Sequence, residues 1–376
     1  MKIDVTTREN LFDLENKLAR IAQLSKPYDV EMRLARTLRA DFFCESRLAA
    51  LLATAGQRHR LTVSDWYREW SDKDIETHYR TSLVGIAAVL NSNRLTNDRG
   101  VDLPDTRDAL LQRIGLAGGL LEPRHSPQRG TSITFCAFDP DWSVPAALAG
   151  ALHRPEIFKE LLRKYRRKYF EVGQGVTRND FTEQAEDRLG DFVFELYQNA
   201  QEYGRPSDSS LTRGMRYLRL QKYRDTKEHF IARAASFPEL AAYLDKLITP
   251  GGGFKFYEVT VSDTGPGIVS HFLRARDDFA PRPQSTEDLV ALVNELLTKP
   301  LTSRRGFPGA GHGLPRALRA ISRLRGFISL RTDGLWLYGC GPDSLAESGL
   351  KSVGSTAQFG SVVGTHFNIL LPLRIG

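Results

Sequence analysis

A row of polar side chains marks one face of a predicted helix in the second half of the chain. Glu195, Asn199 and Glu202 are spaced i, i+4 and i+7, which places them on one side of a helix, at the margin of an apolar stripe. Asparagine is a weak helix former that needs a reason to occupy the middle of a helix, and binding Mg²⁺ through its side-chain oxygen would be one. A solvated helix face is the other interpretation of this row.

An aspartate followed by glycines comes directly after an alternating strand over residues 256–262. A carboxylate at Asp263, with Gly265 and Gly267 letting the backbone bend, is able to accept a hydrogen bond from a bound base. An ordinary Asp-containing turn is the simpler interpretation. The tripeptide Asp263-Thr264-Gly265 also occurs in aspartic proteases, but those enzymes need two such carboxylates sharing a proton. Because this tripeptide occurs once in the chain, a protease would have to be a homodimer about this loop.

A glycine-rich segment precedes a predicted helix that begins near Pro315. It contains Gly306, Gly309, Gly311 and Gly313, and glycines that open a helix expose N–H groups at its positive end, which suits phosphate. The segment is not a Walker loop, since no G-K-[ST] follows, and it lacks the preceding strand and later acidic residue of a Rossmann fingerprint. The arginine-rich helix that follows would add positive potential beside a phosphate. A flexible loop is the alternative.

The elements that would position these residues fall into two parts. Residues 28–34 and 59–66 have the pattern of strands, with a helix between them over residues 44–56 that Gly56 would end. Strand, helix and strand in this order predict a parallel βαβ unit. In the second part, a helix over residues 182–203 is followed by a strand, further helices and late strands. We expect an α/β protein whose second part is an α+β sandwich with helices on one face of a mixed sheet.

The length of 376 residues exceeds what one core usually holds, so two domains are expected. We predict an N-terminal α/β domain over residues 1–145 and a second domain over residues 151–376, with an insertion over about 205–254. This insertion would be a partner-binding or dimerisation element, or an extra pair of surface helices. Its two charged, helix-like stretches are residues 216–235 and 237–248.

Composition places the chain among ordinary cytoplasmic proteins. Apolar residues make up 41% and charged residues 26%, which argues against disorder and against a disulfide scaffold. No apolar run approaches the roughly 18–20 residues of a membrane-spanning helix, and the first residues do not resemble a secretory signal. The net charge of +7 comes largely from two basic helical stretches, residues 158–170 and 314–325. Base-reading motifs are missing around them, so nucleic acid is not favoured as a partner.

Four segments in a fixed order give the second half of the chain a family likeness. They are ELYQNAQEYG (195–204), SDTGPGI (262–268), GAGHGL (309–314) and GTHFNILLP (364–372). Residues 151–376 resemble the ATP-binding domain shared by gyrase, the heat-shock chaperone, histidine kinases and mismatch-repair ATPases, the GHKL or Bergerat-fold family. In that family, the segments correspond to the N-box, the D-x-G-x-G box, the glycine-rich lid box and the final G-T box.

The resemblance implies a role for each candidate residue. Glu195 would align or deprotonate an attacking water, and Asn199 would hold the Mg²⁺ that bridges the phosphates of ATP. Asp263 would accept the adenine amino group, with Thr365 assisting through a water. The other implied nucleotide-binding positions, including the glycines that let a lid close over the triphosphate, are Glu202, Gly265, Gly267, Gly309, Gly311, His312, Gly313 and Leu314.

The family likeness does not decide which activity the protein has. We expect an ATPase that acts as an ATP-dependent switch, working as a homodimer or with a protein partner, and bacterial signalling or anti-phage defence would suit such a protein. The alternatives are a serine protein kinase of the anti-sigma type and a binding module that does not hydrolyse ATP. A histidine kinase is disfavoured because neither His78 nor His153 has the expected acidic neighbour. Residues 41–66 also resemble part of a STAS-like regulatory domain, and a generic α/β domain is the alternative.

Overall fold

The structure of the protein is a computed structural model. It describes residues 1–35, 41–65, 82–97, 100–102, 124–126, 130–138, 148, 151, 154–170, 181–204, 214–248, 254–275, 283, 285–301, 311–341, 345, 348–354 and 359–373. Within these residues, the helices and strands form a mixed α/β architecture with two separate sheets.

The first sheet is parallel and has four strands in the order β1-β2-β3-β4. These strands are β1 (Lys2–Val5), β2 (Asp29–Leu34), β3 (Arg60–Asp65) and β4 (Arg94–Thr96). The predicted parallel βαβ unit is therefore confirmed, with α2 (Cys44–Arg58) between β2 and β3. The other helices of this part are α1 (Leu11–Ala22) and α3 (Leu83–Asn91). Apolar side chains on alternate strand positions are buried, whereas the intervening charged ones lie largely exposed.

Helix α2 does not end at Gly56 as predicted. It continues to Arg58. Gly56 does not end the helix, because its role is to allow close packing against the last residue of α3. A Cβ at Gly56 would lie 2.0 Å from the carbonyl oxygen of Asn91, so only glycine allows the two helices to come this close. Nearly all of α2 is buried, including the polar side chains of Ser46 and Thr54.

The second sheet has eight strands in the order β11-β10-β9-β12-β8-β7-β6-β5. In chain order they are β5 (Arg124–Ser126), β6 (Gly130–Phe138), β7 (Met215–Asp225), β8 (Phe254–Asp263), β9 (Phe327–Asp333), β10 (Leu335–Cys340), β11 (Lys351–Ser352) and β12 (Val362–Leu373). Every strand pair described in this sheet is antiparallel, so the prediction of a mixed sheet was wrong.

The second sheet contains strands from both sides of the predicted boundary between residues 1–145 and 151–376. β5 and β6 precede that point, yet β6 pairs with β7 along eight residue pairs. The segment 139–147 itself lies outside the described residues. β5 and β6 therefore share a sheet with strands of the second part of the chain rather than with β1–β4.

The stretch 216–235, predicted to be helix-like, contains an inner strand of this sheet. β7 pairs with β6 on one side and with β8 on the other, and only α6 (Lys227–Ala234) is helical. The charges misled the prediction because both faces of β7 are covered: Leu218 and Leu220 face one core, while Tyr217 faces the other. The helix predicted over residues 237–248 is confirmed as α7 (Pro238–Leu247).

Two layers of side chains cover the two faces of the second sheet. The front face packs against α4 (Pro155–Phe170), α5 (Glu183–Tyr203), α9 (Thr286–Thr298) and α10 (Gly313–Arg323). The back face packs against α2, α6 and α7, so helices cover both faces rather than one. The remaining helix, α8 (Ile268–Ala275), follows the turn after β8.

The basic helix α4 is held by the acidic side chains of α5. Arg166 and Arg163 both pair with the buried Glu186, and Lys159 pairs with Asp191 at 2.5 Å. Several positive charges of α4 are therefore paired with acidic side chains of α5.

Candidate functional site

The four sequence segments meet at one cleft on the front of the second sheet. Together with the solvent at its open mouth, the cleft encloses about 830 Å³. Its lining residues are Leu196, Asn199, Ala200, Tyr203, Val261, Asp263, Gly267, Ile268, His271, Phe272, Leu296, Leu301, Gly311, Gly313, Leu314, Thr365 and Phe367. Polar groups stand at a few positions in a mainly apolar wall.

Asp263 lies at the end of β8, in the centre of the sheet, where β8 pairs with β12 and β7. Its Oδ1 accepts hydrogen bonds from the backbone N–H groups of Gly265 at 2.9 Å and Thr365 at 3.3 Å. Burial raises the pKa of Asp263 to about 7, against the opposing effect of those two hydrogen bonds. Because both bonds use Oδ1, Oδ2 is the oxygen that an incoming donor would meet.

Glycines allow two chain segments to approach Asp263 closely. A Cβ at Gly364 would lie 1.9 Å from the Asp263 carbonyl oxygen, and Gly364 has a φ of +84°. A Cβ at Gly204 would lie 2.4 Å from the Asp263 Cβ. These close approaches bring the end of α5 and the start of the G-T pair against the aspartate, which explains why both positions are glycine.

A second aspartate, Asp333, supports the start of α8 beside the cleft. It lies at the end of β9 and accepts hydrogen bonds from Val269 N at 3.2 Å and Ser270 Oγ at 2.6 Å, at the start of α8. Thr332 Oγ1 accepts a hydrogen bond from Ile268 N at 3.0 Å. These contacts fix the N-terminus of α8, so that helix presents cleft-lining side chains from a held position.

Glu195 lies beside the first turn of α10. Its Oε1 is 3.5 Å from Arg316 Nη1, and a Cβ at Gly313 would lie 2.6 Å from its Oε2. Burial raises the pKa of Glu195 above its usual range, while Arg316 acts in the opposite direction. The bare backbone of Gly313 is thus what lets the carboxylate approach the helix.

Helix α10 begins at the cleft with little capping. Its N-cap, His312, makes no side-chain hydrogen bond to the first turn within the part of the chain that the structure describes. Gly311, Gly313 and Leu314 line the cleft at this point. The first backbone N–H groups of a helix that no side chain caps are suited to an anion.

The Asn199 side chain is the described group that best fits a magnesium ion here. It lies one turn after Glu195 on α5 and lines the cleft. No group of three or more His, Cys, Asp or Glu side chains that could hold a metal occurs among the described residues. Mg²⁺ commonly binds one or two protein oxygens and takes its other ligands from water and substrate phosphates, so a single amide oxygen is compatible with it.

Not every predicted site residue lines the cleft. Glu202 accepts a hydrogen bond from Gln198 on α5, Gly265 shapes the turn through its bond to Asp263, and His312 is exposed. None of these three is a lining residue, and neither is Glu195, the predicted catalytic residue. Gly309, with the rest of residues 302–310, lies outside the described residues, so the predicted lid stays a prediction.

Three contributors were not recognised as site residues from the sequence. Asp333 gave no signal, because it follows a strand without a motif. Tyr203 and His271 line the cleft and their rings lie 4.6 Å apart, yet a helix-terminal tyrosine and a lone histidine are common. Their positions depend on α8 packing beside the end of α5, which spacing along the chain does not reveal.

The chain matches no protein-family model and no curated protein. Among the described residues, no helix has both the length and the apolar character needed to cross a bilayer.

Proposed function

We propose that the protein binds Mg-ATP in this cleft as a GHKL-type ATPase and acts as an ATP-dependent switch. The observation that carries the proposal is the convergence of Asn199, Asp263, Gly311, Gly313 and Thr365, from four distant segments, on one cavity. The sequence resemblance implies that Asp263 and Thr365 bind the base, and that Asn199, Gly311 and Gly313 bind the metal and the phosphates. The positions of these residues in the cleft are compatible with that arrangement.

The base would bind at the Asp263 end. Oδ2 of the carboxylate would accept a hydrogen bond from the adenine amino group, while Oδ1 stays bound to the backbone N–H groups that orient it. Apolar side chains such as Ile268, Phe272 and Leu296 line the same cavity and would cover the faces of a flat ring. A buried acceptor in an apolar wall favours binding of a base that carries a matching hydrogen-bond donor.

The phosphates would bind where α10 begins. Backbone N–H groups at Gly313 and Leu314 would face the anion, with the positive end of the helix dipole behind them. Asn199 would hold Mg²⁺ through its amide oxygen, and the ion would neutralise charge on the phosphate oxygens. Glu195 would orient and deprotonate the attacking water, so hydrolysis would depend on positioning and electrostatics.

Two variants separate binding from hydrolysis. Asp263→Asn presents an amide donor in place of an acceptor and should weaken nucleotide binding by roughly 1–3 kcal/mol. Glu195→Ala should suppress turnover without weakening nucleotide binding. Calorimetry and phosphate release on both variants test the assignment, and an equal loss of ATP binding in the two would contradict it.

The metal and the output need separate assays. ATP should bind better with Mg²⁺ than with EDTA, and Asn199→Ala should remove that difference. Incubation with ATP labelled at the γ-phosphate distinguishes the outputs: free labelled phosphate indicates an ATPase, and labelled protein indicates the serine-kinase alternative. A homodimer or protein partner, a cytoplasmic location and a role in signalling or defence remain part of the proposal.

A further inference from the structure

We propose that Arg316 is the residue that distinguishes a triphosphate from a diphosphate, and that the free protein holds it in reserve on Glu195. This inference rests on the proposed function, because it assigns a partner to the γ-phosphate of a nucleotide bound in the cleft. In the structure, the guanidinium of Arg316 pairs with the Glu195 carboxylate. A γ-phosphate would compete for the guanidinium, and the carboxylate would be released to act on water.

Arg316 lies on α10 close to the backbone that would contact the phosphates. Gly313 and Arg316 are three residues apart and lie on neighbouring positions of one helix face, and both approach Glu195. Gly313 also lines the cleft. The guanidinium therefore lies within one helical turn of the backbone that would contact the phosphates.

The weakness of the ion pair carries the second step. Arg316 Nη1 lies 3.5 Å from Glu195 Oε1, and the arginine side chain is 60% exposed. An exposed pair at that distance contributes little to stability, because water and salt screen it. A triphosphate beside a helix N-terminus offers several anionic oxygens, and arginine binds such oxygens through two parallel hydrogen bonds. The phosphate should therefore win the competition.

The remainder of α10 provides a matched comparison. Arg319 lies one turn after Arg316, is also exposed and carries the same charge. Neither arginine lines the cleft, but the contact with Glu195 belongs to Arg316 and not to Arg319 among the described ion pairs. Any effect that comes only from positive charge on this helix should appear equally when either arginine is removed.

The test is a set of binding measurements by calorimetry, with Mg²⁺ and with ADP or a non-hydrolysable ATP analogue. Arg316→Ala should weaken the analogue by roughly ten- to a hundredfold, the factor expected for a hydrogen bond between charged groups. It should change ADP binding much less. Arg319→Ala should change both affinities alike, by about threefold or less, because its effect is screened.

A double-mutant cycle tests whether the ion pair with Glu195 holds Arg316 back from the nucleotide. Glu195→Gln keeps the shape and removes the charge, so it should tighten the analogue in the wild-type background because Arg316 is no longer held. In the Arg316→Ala background, the same change should give no gain. An equal gain in affinity for the analogue in both backgrounds would come only from lost repulsion between Glu195 and the phosphates. That result would contradict the proposed competition for Arg316.

The controls separate the two proposals. If the wild-type protein binds neither nucleotide, the proposed function is wrong. If it binds both, and Arg316→Ala leaves the ratio of the two affinities unchanged, the function stands and the inference is wrong. Near-wild-type binding of ADP by Arg316→Ala would show that this variant is folded.

Discussion

The two faces of the eight-stranded sheet are equally buried but are built from different chemistry. On β8, Tyr257, Val259 and Val261 enter the front core, whereas Glu258 and Thr260 are buried on the back. The neighbouring strands repeat this contrast. The front face pairs apolar strands with apolar helix stripes and leaves one cleft. The back face joins the sheet to α2 through hydrogen bonds and ion pairs.

Polar contacts on the back connect residues from opposite ends of the sequence. Ser46 Oγ donates to Asn368 Oδ1 at 2.5 Å, and Arg219 pairs with Glu45 at 2.6 Å. Glu15 pairs with Arg47 at 2.6 Å and with Arg331 at 3.2 Å. An alternating strand is usually taken to have one face in water. Here the polar face is buried because a helix brings matching polar groups to it, so alternation indicates two environments and not exposure.

The largest contrast between the faces should come from Arg331. This side chain is fully buried, pairs with Glu15 and donates to the carbonyl oxygens of Asp333 and Leu335. Arg331→Ala should lower the free energy of unfolding by about 3–5 kcal/mol, because the buried Glu15 loses one of its two described ion-pair partners and two carbonyl oxygens lose their buried donor. On the front face, Ile369→Val should cost only about 0.5–1.5 kcal/mol. Urea unfolding measures both.

The control for this comparison is an exposed ion pair. Arg60 and Asp29 pair at 3.0 Å on the outer face of the first sheet, and both side chains are about 80% exposed. Arg60→Ala should change stability by less than about 1 kcal/mol. A cost for Arg331→Ala as small as that of Arg60→Ala would show that the back-face ion pairs contribute nothing to the fold.

A smaller effect is expected where α2 meets the start of β12. Val363 N donates to Thr54 Oγ1 at 3.2 Å. Thr54→Val keeps the volume but leaves this N–H group unsatisfied, so stability should fall by roughly 1–3 kcal/mol. Thr62→Val, at a half-buried position of the first sheet, serves as the matched control and should be nearly neutral. Equal costs in the two would mean that the Thr54 contact is dispensable.

Titration should distinguish the faces by the sign of its effect. Burial raises the pKa of Asp263 on the cleft side to about 7 and lowers the pKa of His366, on the back, to about 3. Between about pH 4 and 6.5, folded Asp263 holds a proton that the unfolded chain has lost, so its contribution to stability falls as pH rises. Folded His366 lacks a proton that the unfolded chain binds, so its contribution rises with pH. Each slope is about 1.4 kcal/mol per pH unit.

The two slopes oppose each other in the wild-type protein, and single variants should reveal them. Relative to wild type, the stability of Asp263→Asn should rise more steeply with pH between about 4 and 6.5, and that of His366→Gln should fall. Chemical unfolding at several pH values measures these differences. Parallel pH profiles for all three proteins would contradict the assignment of both groups.

The smallest effect concerns the contact between the back helix and the turn at the site. Gln57 Nε2 on α2 donates to the carbonyl oxygen of Thr264 at 3.1 Å, next to Asp263. Gln57→Ala should lower the free energy of unfolding by about 0.5–1.5 kcal/mol. Gln23→Ala, at an exposed position after α1, should have almost no effect. If the two variants are indistinguishable in urea unfolding, α2 does not support this turn.

The sequence predicted local elements better than their partners. The helix over residues 182–203 is present as α5, with Thr182 as its N-cap, because a cap and a periodic apolar stripe are local signals. The site residues Asn199, Asp263, Gly311 and Thr365 share one cleft, as their motifs had suggested. The strand β7 was missed because its charged side chains find buried partners on α2 and β8, and such long-range pairing has no local signature.

The position of β12 in the sheet has a consequence for the synthesis of the protein. It comes last among the described strands, yet it lies between β9 and β8 in the interior of the sheet. Helix α2 contacts it through pairs as far apart as Ser46 and Asn368, which are 322 residues apart. At a translation rate of roughly 5–20 residues per second, α2 would wait about 15–60 s for this partner. The first half of the chain must therefore leave the ribosome with one side of α2 uncovered, and its final packing must be a late event in folding.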